Sequence, residues 1–404
     1  MRKRFVITGA SGHIGRYLTK LCQNQKHPLL LVGRDRQKLE KLFPGVATVD
    51  YAQLPGELRP NDIIVHLAVE NNDNNDKRLS QNNAAILSEV LLATHGKQIE
   101  KLIFLNSFHA LPTSKRNHTD YSRSKIACSD MLAREKSFPI NSLYIPAVYS
   151  QHSRGNLRFL NSIPPFARRL LASIIRSVVP VISVENVTSA ICQIAINTNE
   201  TRSNIYLSDS VRRNFIYRFW RLSLDIIFSV STILFASWLM LLIFIAIISN
   251  SPGGAIFTQL RVGRNTEPFK CHKFRTMKHG TEQAGTHEIS ENRITGVGRF
   301  LRRTKLDELP QAWDILRKKM SLIGPRPCLP AQKELIYERK VGGVFHVLPG
   351  VTGLAQVNGI DMSNPSKLAD MDAQYIAQQS IMIDIKILLA TLFGHGSGDH
   401  TRSS

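Results

Sequence analysis

From Ile226 to Ile248 the chain runs through 23 residues without an Asp, Glu, Lys or Arg, most of them Leu, Ile, Phe, Val or Ala. As a helix rising about 1.5 Å per residue, such a run reaches roughly 35 Å, against a hydrocarbon core of about 30 Å. It has to be either the buried helix of a core or a segment inserted in lipid. Its flanks discriminate among membrane arrangements. Arg212, Arg213, Arg218 and Arg221 precede it, and Arg261 and Arg264 follow it. A full crossing would place positive charge on both sides, against the tendency of Lys and Arg to stay cytoplasmic. A helix that enters and returns to the same face meets no such conflict, so the sequence predicts a re-entrant helix.

At 404 residues the chain exceeds what one core organises, and two domains are expected. The composition turns polar through NTNETRSNIYLSDSVRRN, which sets a boundary near residue 210. The opening MRKRFVITGASG is too poor in apolar residues for a signal-peptide core, so the N-terminus is expected to stay in the cytoplasm. Cys22, Cys128, Cys192, Cys271 and Cys328 are odd in number and show no CxxC spacing, which fits reduced thiols better than a disulfide framework or a zinc site. A net charge of +21 suits a partner carrying phosphate. No nucleic-acid recognition motif accompanies that charge, and none is expected to be bound.

The first domain opens with RFVITG, a short apolar strand, then GASGHIG, then RYLTKLCQN with apolar residues at helical spacing. In a strand–turn–helix of this kind Gly9, Gly12 and Gly15 let the backbone turn tightly and approach a pyrophosphate, while the helix N-terminus offers unpaired N–H groups. A second strand, PLLLVGR, ends about 20 residues later, where a dinucleotide's ribose is read. Arg34 there would pair with a 2′-phosphate, and Asp35 would instead bond a ribose hydroxyl; both readings stay open. DIIVHLAV and KLIFLNS add strands around a helical AAILSEVLLATHG, the alternation of a doubly wound α/β sheet. In YSRSK, Tyr121 and Lys125 share one helix face, where an ammonium would lower the phenol's pKa for proton transfer, and Ser107 closes the preceding strand within reach of a substrate carbonyl.

With IPAVYS and VENVTSAI…IYLSDS added, this half resembles the short-chain dehydrogenase/reductase superfamily in its extended, sugar-nucleotide epimerase/dehydratase form. The resemblance implies a Rossmann domain over 1–210 that binds NAD(P), with Tyr121 as acid/base, Lys125 as its partner and Ser107 orienting the carbonyl. The lobe after Ser150 is short for that form.

In RRTKLDELPQAWDIL two carboxylates, Asp307 and Glu308, stand beside Arg302, Arg303 and Lys305, with Arg326 following in MSLIGPRP. Pro310 is tolerated in the first turn of a helix, so the helix through AWDIL is expected to start close to Asp307, with that residue as its N-cap. Capping explains neither Glu308 nor the basic cluster, whose guanidinium groups suit phosphate oxygens. Carboxylates close to a diphosphate call for a divalent cation, and Mg²⁺ favours one or two carboxylates plus phosphate oxygens.

In the order SPGGAIFTQLRVGRN, PFKCHKFRTM, ITGVGRFLRRTKLDELPQAWDIL, MSLIGPRP, LPGVTGLAQVNG, DAQYIAQQSIMIDIKILLATL, the second half resembles the bacterial sugar transferases that are monotopic phosphoglycosyl transferases. The resemblance implies transfer of a sugar 1-phosphate from a UDP-sugar to undecaprenyl phosphate. Asp307 would be the nucleophile, Asp307 and Glu308 the Mg²⁺ ligands, and Arg302, Arg303 and Arg326 the phosphate-binding residues. UDP-sugar, undecaprenyl phosphate and membrane lipid are the implied partners, with self-association open. The implied place is the cytoplasmic face of a bacterial inner membrane, with both domains on that face. Where the family carries Ser-Pro in its hydrophobic helix, this chain has Ser237 followed by Trp238. The expected division is a Rossmann domain over 1–210, a re-entrant helix region over 211–250, a mostly helical transferase domain over 251–394 and a disordered tail over 395–404. SIMIDIKILLATLF fits an interfacial helix and a core helix equally.

Overall fold

The computed structural model describes residues 2–69, 76–111, 119–150, 164–197, 202–281 and 293–394; the tail expected over 395–404 lies outside them. Internal contacts gather Met1–Arg168 with Pro180–Asp209 into one unit, and Arg169–Val179 with Ser210–Ser404 into a second. The single boundary at 210 leaves 169–179 with the first unit; the contacts place that stretch in the second.

In the first unit, β1 (Phe5–Thr8), β2 (Leu29–Val32), β3 (Ala47–Val49), β4 (Ile63–His66), β5 (Lys101–Ser107), β6 (Ile140–Ile145) and β9 (Asn204–Tyr206) form one parallel sheet in the order β3-β2-β1-β4-β5-β6-β9. β7 (Ala147–Tyr149) and β8 (Val181–Ser183) pair separately. Strands β1 and β4 are buried along their whole length, which is why they read as unbroken apolar runs rather than alternating ones. Helix α1 (His13–Asn24) packs on one face and the long α4 (Asp76–Thr94) on the other, with the short α2 (Arg36–Leu42) and α3 (Leu54–Glu57) between the early strands. α5 (Asp120–Arg134) joins α4, and α7 (Val184–Ile196) joins α1. Leu18, Cys22, Ile191 and Cys192 thus fill the core against Ile7 and Ile103, while Leu87, Val90, Cys128 and Leu132 fill the opposite side against Val6 and Phe104. Lys101, though buried, is satisfied by the carbonyls of Ile194 and Asn197 at 3.0 and 2.8 Å, so its charge meets the C-terminus of α7. All five cysteines are buried and free.

Strand order reverses between β1 and β4, and the crevice at the carboxyl ends of these strands is where such sheets take a dinucleotide. Gly15 sets how close α1 comes to that crevice: a Cβ there would lie 2.3 Å from the Gly9 carbonyl oxygen and 2.7 Å from the Ala10 Cα.

α6 (Pro165–Val178) leads from the first unit into the second. In the second unit α8 (Phe215–Phe235) and α9 (Ser237–Asn250) meet at Ala236 with a bend of 63°. Among the described residues no single helix is long and apolar enough to cross a membrane, and this bent pair passes only jointly. The bend forms without proline. Ala236 leaves helical geometry at φ −100°, ψ 2°, and the Ser237 hydroxyl donates to the Leu234 carbonyl at 3.3 Å. Trp238 therefore does not straighten the pair, and the bend is consistent with the re-entrant helix expected from the sequence.

Polar contacts fasten α8 to the rest of its unit. Arg221 donates to the Tyr375 hydroxyl at 3.1 Å, to the Ser321 hydroxyl at 2.6 Å and to the Ile323 carbonyl, and pairs with Asp384 at 3.3 Å. Asp225, one turn on, accepts from the Ser321 hydroxyl and the Leu322 N–H. The unit also contains the antiparallel hairpin β10 (Ile256–Val262) and β11 (Pro268–Phe274), helices α10 (Gly296–Thr304) and α11 (Gln311–Leu316), and the parallel pair β12 (Ser321–Ile323) and β13 (Gly350–Thr352). Around them lie α12 (Lys333–Val341), the short α13 (Leu354–Val357), α14 (Pro365–Gln378) and α15 (Ile381–Leu392). α15 packs through one face: Asp384 and Ile387 are buried, while Met382, Ile385, Leu389 and Leu392 are exposed.

Gly15→Ala should push α1 off β1 at a cost of about 1–3 kcal/mol. Hydrogen exchange on the full chain checks this: amides of α1 and β1 should exchange faster while those of the second unit do not change. Unaltered protection of α1 would contradict the close approach.

Candidate active site

The first unit presents a cradle of backbone. Gly9 holds φ +73°, where a Cβ would strike the Ala68 backbone at 2.6 Å, and the Gly12 N–H closes the turn on the Gly9 carbonyl at 3.0 Å. Gly12 caps α1 without a side chain, so the first N–H groups of the helix point at whatever fills the turn. At the end of β2 Asp35 and Arg34 have different surroundings. The Asp35 carboxylate accepts the Lys38 N–H at 2.9 Å and N-caps α2. Arg34 is exposed and lines an open pocket of about 750 Å³ with Tyr51, Pro55 and Asn82.

Ser107 ends β5, and Tyr121 and Lys125 lie on one face of α5, as their spacing predicts. The expected chemistry of the pair differs. Burial pushes the Tyr121 phenol above its ordinary pKa, opposed by a hydrogen bond with the Ser107 side chain. The Lys125 ammonium donates to the Leu105 carbonyl at 2.7 Å and lies 4.7 Å from the centre of the Phe104 ring, and burial brings its pKa down to about 8. Tyr121 meets Ser107 while Lys125 bonds the Leu105 carbonyl, and burial outweighs the Ser107 bond, so the phenol is raised rather than lowered.

In the second unit Asp307 lines a cavity of about 810 Å³ together with Lys273, Arg302, Glu308 and Arg326 and with the apolar Phe228, Leu322, Val351, Leu388 and Leu392. Lys305 caps α10 in the left-handed region at φ 58°, an unusual conformation for a side-chain-bearing residue. The chain is thereby redirected into a 3₁₀ turn, Leu306–Glu308, that carries both acids. α11 starts only at Gln311, with Pro310 at its N-cap position. Asp307 is therefore not the helix cap expected from the sequence, because the left-handed Lys305 ends one helix before the next can begin.

Asp307 is buried, and burial pushes its carboxyl up to about 6; Lys273 opposes this, the Glu308 charge adds to it, and Arg302 and Arg326 pull it back. Glu308 Oε1 accepts from Lys273 Nζ at 2.7 Å and from Arg326 at 3.1 Å. Arg326 is held in turn: its carbonyl accepts from Arg339 at 2.8 Å, and the buried Arg339 pairs with Asp372 at 2.7 Å. Arg302 donates from Nε to the Thr276 hydroxyl at 2.9 Å. Arg303, adjacent on the helix, is exposed and outside the cavity lining; consecutive helical residues do not share a face.

Lys273 is the residue that reading the motif missed. It sits in the quoted PFKCHKFRTM on β11, where Lys270 is exposed and Lys273 turns to Glu308. Gln259, Arg261, Arg275 and Thr276 line the same cavity. Among the described residues no group of three or more His, Cys, Asp or Glu is placed to hold a metal.

Two families match this chain end to end. The NAD dependent epimerase/dehydratase family covers residues 5–215 and the family of bacterial sugar transferases covers residues 216–396. A UDP-glucose:undecaprenyl-phosphate glucose-1-phosphate transferase of Escherichia coli is 38% identical over 179 residues, 42% of this chain. This chain spans only 38% of that relative's length. The uncharacterized sugar transferase EpsL of Bacillus subtilis is 37% identical over 149 residues, covering 37% of this chain and 73% of the relative. The Bordetella bronchiseptica enzyme WbmG in complex with NAD overlaps with a TM-score of 0.42 at 16% identity, covering 52% of this chain and 73% of that one.

A carboxyl raised above its unfolded value of 3.8 binds its proton more tightly when folded, so ionisation opposes folding. That cost is complete above pH 6 and fades as the pH falls towards 3.8. Asp307→Asn, lacking the charge, should be the more stable protein above pH 6 by up to about 3 kcal/mol, with the advantage vanishing near pH 4. Thermal unfolding of the full chain in a chelator across this range checks the sign; a difference independent of pH would contradict it.

Proposed function

The chain belongs to the NAD dependent epimerase/dehydratase family through its first half and to the bacterial sugar transferases through its second, and from that footing we propose that it loads a sugar 1-phosphate from a UDP-sugar onto undecaprenyl phosphate. The observation that carries the reading is Asp307: a buried carboxylate with a pKa near 6, set among Lys273, Arg302 and Arg326 in a cavity that is also lined by apolar side chains. The cations suit a diphosphate and the apolar lining suits an isoprenoid.

In the proposed reaction an Asp307 oxygen attacks the phosphorus that bears the sugar. The bond from that phosphorus to the bridging oxygen breaks, UMP leaves, and the sugar phosphate is held as an acyl phosphate. An oxygen of undecaprenyl phosphate then attacks the same phosphorus, the bond to the carboxyl oxygen breaks, and the carboxylate is regenerated. Splitting the transfer lets one site serve a soluble and a lipid substrate in turn. Lys273, Arg302 and Arg326 supply positive charge for the phosphate oxygens, and Glu308 holds two of the three in place. Mg²⁺ would supply charge neutralisation at the diphosphate. Asp307 and substrate phosphate oxygens fit it, whereas Glu308 already gives Oε1 to two cations, so its part is better read as positioning.

For the first unit we propose an NAD(P)-dependent reductase or epimerase that finishes the sugar. The glycine cradle fits a dinucleotide, which would supply or accept hydride; Tyr121 would move the proton at the sugar oxygen, with Ser107 bonded to it. One observation favours a second reading, in which this unit binds nucleotide without chemistry: Lys125 is committed to the Leu105 carbonyl. A nicotinamide cofactor and a UDP-sugar are both drawn from the cytoplasm, so the proposal has both units on the cytoplasmic face of the inner membrane.

Crossed variants separate the halves. Tyr121→Phe should cut NAD(P)H-dependent conversion of a keto or epimerisable UDP-sugar by about 10²-fold or more while leaving lipid loading from finished UDP-sugar intact, and Asp307→Asn should do the reverse. Chromatography of nucleotide and lipid products reads both. Unchanged conversion by Tyr121→Phe would remove that residue from the mechanism, and no nicotinamide turnover by the wild type would establish the second reading.

A further inference from the structure

The hydrophobic surface of the second unit does not begin at the uncharged run. Along α8 the exposed residues Phe215, Phe219, Leu222, Ile226, Val230 and Leu234 fall three or four apart and make one continuous stripe. The stripe starts at the first residue of the helix, a full three turns ahead of the segment read as inserted. Phe215 and Phe219 are 78% and 63% exposed and stack with ring centres 6.4 Å apart. Two aromatic rings left open to water on a helix end call for a cover.

Beside that end lies α6. Asn214 N-caps α8 through its side-chain oxygen, bonded by the N–H groups of Ile216 and Tyr217, and its amide nitrogen donates to the Ser173 carbonyl at 2.7 Å and hydroxyl at 3.2 Å. One side chain thus ties α6 to the first turn of α8. Ser177, one turn beyond Ser173, is fully buried, while Leu170 and Ile174 are exposed, Leu170 by 64%. The charge of this corner is uniform. Residues 164–183 and 210–224 contain seven arginines and no Asp or Glu, and Arg176, Arg213 and Arg218 are exposed.

We propose that the C-terminal half of α6 and the first turns of α8 form a second membrane contact, lying in the headgroup region of an anionic bilayer. Apolar side chains among arginines, without acids, are the composition that binds such an interface, the apolar groups entering the acyl boundary and the guanidinium groups meeting lipid phosphate. A bilayer is chosen over a protein partner because the stripe runs without interruption into α8's uncharged length. The contact rests on the reading of α8 and α9 as inserted, and it would keep the stretch that leads out of the first unit on the surface where the lipid acceptor resides.

The test uses nitroxide labels on the full chain in bilayers of phosphatidylethanolamine and phosphatidylglycerol, placed singly by Leu170→Cys, Ile174→Cys, Phe235→Cys and Lys97→Cys; the native cysteines are all buried. Collision with oxygen against a nickel chelate gives depth. Labels at 170 and 174 should lie at the headgroup boundary, shallower than 235 and shielded from nickel relative to 97, and should move towards water when phosphatidylglycerol is replaced by phosphatidylcholine. Labels at 170 and 174 as nickel-accessible as 97, with 235 in the acyl region, would overturn this contact alone. Labels shielded from both reagents would overturn it in favour of a protein cover, such as a second copy of the chain. A label at 235 in water would overturn the insertion of α8 and α9, and the contact with it.

Discussion

A carboxylate cannot stay charged inside protein without compensation, and the second unit is organised around supplying it to Asp307. Its three cations come from separate parts of the chain: Lys273 from the β hairpin, Arg302 from α10 and Arg326 from the segment after β12. None is left to find its place alone. Glu308 bonds two of them, Thr276 bonds the third, and the Arg339–Asp372 pair behind holds the Arg326 carbonyl. The left-handed Lys305 is the backbone concession that turns the acids inward. Removing one cation would raise the Asp307 pKa further, so charge at neutral pH depends on the whole set.

The same economy of buried charge runs through both units. Lys101 ends on carbonyls at the C-terminus of α7, Lys125 on the Leu105 carbonyl, and Arg221 on the Ile323 carbonyl with Asp384. Each is a cation whose long stem packs in the interior while its head finds oxygen. Arg221 does this from within α8, so the helix that carries the exposed apolar stripe is also bonded to β12, α14 and α15 of its unit.

Most of this was legible because it follows from period and spacing. Fully apolar β1 and β4, glycines at 9, 12 and 15, and Tyr121 with Lys125 on one face are one-dimensional signals with one structural answer each. What escaped depends on long-range geometry. Nothing local tells that Lys273 will face Glu308 35 residues away, that Asp35 will cap α2, or that Lys125 will bond the Leu105 carbonyl. The Asp307 cap failed for a related reason: Pro310 signals a helix start correctly, but the positive φ at Lys305 inserts a 3₁₀ turn that propensity does not foresee. Arg303 failed because a run of basic residues is one cluster in sequence and two faces on a helix.

On the proposed function, one site would prepare a sugar nucleotide and the other would use a single buried carboxylate to carry its phosphosugar to lipid. The covalent carrier is the central claim, and intact-protein mass spectrometry tests it directly. Full-length protein incubated with Mg²⁺ and a UDP-sugar it accepts, with lipid withheld, should gain the mass of one sugar phosphate with release of UMP. Peptide mapping should place the addition on Asp307, and undecaprenyl phosphate should discharge it. Turnover to lipid product with no adduct at any time, or an adduct on another residue, would contradict the account.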